Sequence, residues 1–142
     1  MTVVKLADPV IVAIITRLRA DATLRALIVG STTPEWGIYD EVPQGKSYPY
    51  VQIDTAPETV DDTFSKQGGT LTLTAHVWSQ YSGRKEASDI LDRIKDLLHH
   101  YALSVSGYTL EWCSVDMTDV LRDPDGRTRH GIATIRVQAR ET

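Results

Sequence analysis

Covalent staples are missing from this chain by count, because 142 residues hold a single cysteine, Cys113. An intramolecular disulfide and any metal motif built on two cysteines are excluded, and a reducing compartment is expected. Long hydrophobic runs are missing as well. The apolar stretch Val10 to Ile15 falls far short of the ~20 residues a membrane span requires. Thr16, Arg17 and Arg19 interrupt it with no small-residue cleavage site behind, so neither anchor nor secretory signal is expected, and synthesis in a cytoplasm is. Positive charge is not in excess either: 15 Lys plus Arg against 19 Asp plus Glu leave a formal net charge of −4. That balance argues against a dedicated nucleic-acid binder, which needs a dense basic surface to release counterions.

What is present is an ordinary globular balance, 42% hydrophobic and 24% charged. At this length one domain over residues 1–142 is expected, burying roughly 70% of the unfolded surface. Asp8 and Pro9 read as a helix start, and Val10, Ile11, Ile14, Ile15 and Leu18 recur at helical spacing to about residue 19. Asp21 is placed to cap a short second turn with Leu24, Leu27 and Ile28 inward and Gly30 as its end, so a kinked or broken helix is expected. Ile38-Tyr39 and the alternating stretch 48–54 predict two short strands joined by a loop, Pro49 standing at a strand start or edge.

Residues 55 to 69 carry Pro57, Glu58, Asp61, Asp62, Lys66 and Gly68-Gly69, with only Val60 and Phe64 as large apolar side chains. No periodicity is visible, which predicts a long functional or mobile loop. Thr70 to Trp78 alternates strictly, Leu71, Leu73, Ala75 and Val77 facing one way and Thr70, Thr72, Thr74, His76 and Trp78 the other, as in a half-buried antiparallel strand. Ala87, Ile90, Leu91, Ile94, Leu97 and Leu98 then mark an amphipathic helix, with Lys85–Asp89 and Asp89–Arg93 as supporting pairs. His99 and His100 fall in its last turn, where imidazolium would face the negative helix end. Gly107 to Leu121 and a return strand to Arg140 flank the turn Asp123-Pro124-Asp125-Gly126.

The predicted fold class is α+β, an antiparallel or mixed sheet of about four to five strands with two helices packed on one face. The opposite face, with Thr72, Thr74, His76, Trp78, Arg136 and Gln138, is neither core nor charged surface. It is expected to be solvated or covered by a neighbouring subunit.

The sequence holds no recognisable reactive constellation. Gly68-Gly69 precedes a strand, whereas a phosphate cradle follows one and opens a helix. His99 and His100 are adjacent and cannot make the i, i+4 pair of a zinc helix. Cys113 shares a face with Val115 and Met117 and reads as a buried small hydrophobe, a pairing with His76 or His130 remaining open. Asp116, Asp119, Asp123 and Asp125 lack the order of a calcium loop and read as solvated turn chemistry. Trp36, Tyr39, Tyr48 and Tyr50, without basic interleaving, read as sheet packing or a protein interface rather than a base-stacking platform. No enzyme, cofactor or metal is expected.

The ordered series "LRADATLRALIVG", "GIYDEVPQGKSYPYVQID" and "LTLTAHVWSQYSGRKEASDILDRIKDLLH" resembles the tail completion or tail terminator proteins of long-tailed bacteriophages. Ile38, Tyr39, Val42, Pro43, Tyr48, Pro49, Val51, Val77, Trp78, Ser79, Gly83 and Leu97 carry the likeness. Tyr101, Trp112 and Cys113 depart from it, larger than the family's pattern needs. The resemblance implies a structural virion protein of the tail and head–tail interface, assembled in the host cytoplasm into a ring, commonly a hexamer. It implies contacts with a tail-tube protein and a head connector protein, no membrane and no specific nucleic acid, although DNA can pass through the ring. A prophage origin is equally compatible. The family motifs are structural and transfer no contact residue. From the residues themselves, Asp61, Asp62, Phe64 and Lys66 of the long loop and Arg122, Asp125, Arg127 and Arg129 of the hairpin are the candidate subunit or tail-tube contacts. A small cytoplasmic α+β module binding a peptide or small ligand through the Trp and Tyr group is the alternative.

Overall fold

The apolar stripes of the sequence collapse onto one side of one sheet. The structure, a computed structural model, describes residues 5–28, 32 and 34–142. Its elements are α1 (Ala7–Arg19), α2 (Ala22–Leu27), β1 (Ile38–Tyr39), β2 (Tyr50–Val60), β3 (Gly68–Ser79), α3 (Lys85–Leu98), β4 (Tyr108–Arg122) and β5 (Arg129–Glu141). The five strands lie in the order β1-β2-β3-β5-β4. β1 runs parallel to β2, and every other neighbouring pair is antiparallel. The sheet is therefore mixed, as the α+β reading expected.

One face of the sheet is core. Val51, Ile53, Leu71, Leu73, Ala75, Val77, Cys113, Val115, Ala133, Ile135, Val137 and Ala139 are buried there under Val10, Ile14 and Leu18 of α1 and Ile90, Ile94 and Leu98 of α3. A third helix, the six-residue α2, joins the two that the sequence predicts. Asp21 caps it by accepting the Leu24 N–H at 2.8 Å, and the same carboxylate takes two hydrogen bonds from Arg93 of α3 at 2.9 and 2.7 Å. The Arg93 bonds hold the Asp21 carboxyl below the usual carboxylate range. So a cap residue also ties two helices together, and Arg93 pairs with Asp21 rather than with Asp89. Lys85–Asp89 forms as expected.

Several local expectations fail for identifiable reasons. α1 begins at Ala7 with no side-chain cap, Asp8 and Pro9 lying inside its first turn, where a missing N–H costs nothing. The Gly30 stop lies outside the described residues. The expected loop at 55–69 is mostly strand, because β2 continues to Val60 across a bulge between Thr55 and Glu58 that absorbs Pro57. Only residues 61–67 turn the chain. Met117 does not share the inner face with Cys113 and Val115, since a second irregularity between Val115 and Met117 flips it outward, 52% exposed.

Candidate functional site

Among the described residues nothing covers the sheet face away from the helices, and its side chains sort into two halves. Toward the Ser79 end, the Trp78 ring stacks on His130 at 3.9 Å and 9°, and His130 meets His76 with 2.7 Å between ring nitrogens. Leu121, 45% exposed, stands opposite His130 across the ladder. Toward the Gly68 end the face is ionic. Arg140 bonds Glu111 at 2.5 Å and both the carbonyl and the carboxylate of Asp61 at 2.7 and 3.1 Å, while Gln138 reaches Asp61 at 2.6 Å. Arg136 pairs with Asp116, whose carboxyl is lowered first by the Ser114 hydroxyl and then by Arg136. Glu111 and Asp116 both occupy the extra position of a β4 bulge, which is what aims them at these arginines. Gly68 completes the arrangement, because a Cβ there would lie 2.7 Å from the Arg140 guanidinium.

His130 sets a pH dependence. Burial, and then the neighbouring His76, lower its pKa from 6.5, so the folded state favours the neutral ring. That contribution is fully present above pH 6.5 and declines as pH falls through the lower folded value, because the unfolded chain takes the proton more readily. Thermal unfolding at pH 7.5 and 5.0 should show a fall in Tm that His130→Phe reduces; an equal fall in both proteins would refute the assignment.

The sheet edges are guarded against strand addition. β4 is bulged twice, and the chain after α3 caps its middle: Val115 N–H donates to His99 Nδ1 at 3.0 Å and His100 N–H to the Cys113 carbonyl at 2.8 Å. Nδ1 of His99 accepts that bond, so the ring works as a cap on the β4 edge. At the other edge, Pro57 interrupts β2 beyond the two-residue β1. Bulges and capped edges favour contacts through faces and loop tips over pairing of strands.

The candidate contact residues fall at opposite ends of the sheet. Asp61, Asp62, Phe64 and Lys66 sit in the β2–β3 turn beside the end of β5. Arg122, Asp125, Arg127 and Arg129 sit at the β4–β5 tip, roughly 35 Å away at ~3.3 Å per residue along β3. Asp61 is engaged by Arg140 and Gln138, and Asp62 accepts the Gly68 N–H at 3.1 Å. Phe64 is wholly exposed at the tip of a turn closed by Thr63 and Lys66. Asp125 is folded into its own turn, taking bonds from the Arg127 and Thr128 amides and the Thr128 hydroxyl. Arg122, Arg127 and Arg129 border an open concavity of about 530 Å³ together with Gln80, Ser82 and Gly83. The sequence named the arginines but missed their partner wall, since nothing local in Gln80 to Gly83 says that it faces the hairpin.

The remaining chemical candidates dissolve. Cys113 is buried, its thiol pushed up to about 11 by burial and then by Asp116, on the face opposite His76 and His130. Asp119 accepts the Val120 N–H, so the hairpin acids do not converge, and no metal-holding group occurs among the described residues. Tyr39 is buried and Trp36 lies under Arg25 at 4.6 Å, while Tyr48 and Tyr50 pair at 5.4 Å. These aromatics share no open platform. Among the described residues no helix is long and apolar enough to cross a membrane.

Comparison with known proteins matches this architecture. The family model described as Tail completion protein gp17 covers residues 12–140. Tail completion protein gp17 of Bacillus phage SPP1 is 36% identical over 89 residues, 63% of this chain and 66% of that protein, so the chain spans just under two thirds of that relative's length. A chain in the virion of a native gene transfer agent particle superposes with a TM-score of 0.81 at 25% identity, covering 97% of this chain and 99% of that one. The solved bacteriophage SPP1 gp17 protein superposes with a TM-score of 0.60 at 25% identity, covering 94% and 91%.

Proposed function

Because the chain belongs to the tail completion protein gp17 family, a structural and not an enzymatic family, we propose that it caps the tube of a phage-type tail as a ring. In that place it ends tail elongation and presents the surface to which the head connector joins. The observation that carries this reading is the end-to-end likeness to a chain of an assembled virion particle. Supporting it are an uncovered sheet face with a stacked Trp78–His130 pair and two loop tips of opposite chemistry, features that call for neighbours. The partners in this reading are further copies of itself, six in a closed ring, the tail-tube protein and the connector. The acting site is its shape rather than a reactive group, and DNA passes the ring without sequence-specific contact.

The test is tube length. Tails assembled without this protein should be tubes of uncontrolled length that do not join heads, seen by electron microscopy. Tubes of normal length and normal joining would overturn the proposal.

A further inference from the structure

Resting on the ring reading above, we propose that the β2–β3 tip of one copy seats in the arginine-lined concavity of the next, with Phe64 against a guanidinium and Asp62 facing Arg127 and Arg129. The concavity is electrostatically incomplete. Arg122 stands directly opposite Arg129 in the β4–β5 ladder, a like-charge cross-strand pair that is unfavourable by itself. Among the described residues none of the three arginines pairs with a carboxylate; Arg122 donates to the Gly126 carbonyl and Arg129 to that of Arg127. Asp125 of the tip is turned inward onto the Arg127 and Thr128 groups. A carboxylate from outside completes the site by charge-assisted bonds.

The other tip offers the complement. Phe64, the chain's one phenylalanine, is fully solvent-exposed between Asp61–Asp62 and Lys66. An aromatic ring against guanidinium groups gains a cation–π contact, and the hollow between Gly83 and Gly126 leaves it room. The occupant is a second copy because both halves of the fit belong to one chain and lie at opposite ends of its sheet. No copy can satisfy itself, and a contact between unlike surfaces is the head-to-tail kind that closes into rings.

Ser65 lies in the tip and Ser82 lines the concavity, both exposed, while the native thiol is buried. Oxidising the double variant Ser65→Cys/Ser82→Cys should give a covalent ladder of dimer, trimer and higher species, at least about tenfold above either single variant. Ring-sized assemblies by native mass measurement without that ladder would overturn the contact and leave the ring standing. Cross-linking of Ser65→Cys to a different tail protein in assembled particles would overturn it in favour of that occupant. Monomer at every concentration, together with normal tube length in its absence, would overturn the ring reading and this contact with it.

Discussion

Replacing Gly131 by valine is expected to destabilise the protein by about 3 kcal/mol, which lowers Tm by roughly 10 °C for a chain of this size. Gly131 lies in β5 directly beneath α3. A Cβ placed there would meet Leu91 Cδ1 at 3.0 Å and Cγ and Val77 Cβ each at 3.2 Å. Leu91 can shift its terminal methyl, so Gly131→Ala should cost about 1 kcal/mol, partly offset by the smaller entropy of the unfolded chain. Valine adds two methyl groups where β3 and α3 already close, and neither wall can retreat without lifting α3 from the sheet. Chemical denaturation of the three proteins checks the graded order. A valine variant as stable as the parent would show that this helix–sheet approach is not close-packed.

Gly131 also marks where the sequence stops being readable. The periodicities of 71–77, 87–98 and 133–139 announced their elements because each carries an uninterrupted apolar period against one core face. Gly131, flanked by His130 and Ile132, carried no such signal; its role exists only when α3 lies over it. The loop expected at 55–69 hid a strand for a related reason. Pro57 and the acids around it are poor strand formers, and only the bulge and the pairing with Leu71, Thr70 and Gly69 hold them extended. Alternation alone puts Met117 on the face of Cys113 and Val115, because it cannot see a bulge, and one extra residue reverses every face beyond it. Function was legible at the level of the family, through the order of turns and core motifs, which the family match over residues 12–140 bears out. The surfaces were less so. Asp61 reads as an outward acid of a loose loop, yet it is the partner of Arg140 and Gln138, brought to it from 79 and 77 positions along the chain.

Reversing charge at the β4–β5 tip, Arg127→Glu with Arg129→Glu, should leave the fold intact and weaken self-association about a hundredfold or more, since like charges would then meet at the contact. Both side chains lie outside the core, and the turn itself is held by Asp125 through backbone and Thr128 bonds that the substitutions do not touch. The matching change on the other tip is cleanest at Asp62. Reversal at Asp61 would strip Arg140 and Gln138 of an intramolecular partner and confuse loss of contact with loss of fold. Asp62→Arg combined with the tip reversal should restore association, because the swapped charges again face opposite signs across a head-to-tail contact. Light scattering or sedimentation reads the outcome, and raising salt should weaken the parent assembly while narrowing the gap to the reversed variant. Unchanged oligomer mass in the Arg127→Glu/Arg129→Glu protein, with its circular dichroism also unchanged, would remove this tip from the subunit contact. Restoration by Asp62→Arg is the stronger result, since general loss of charge or local unfolding at one tip has no reason to be repaired by a substitution at the far end of the sheet.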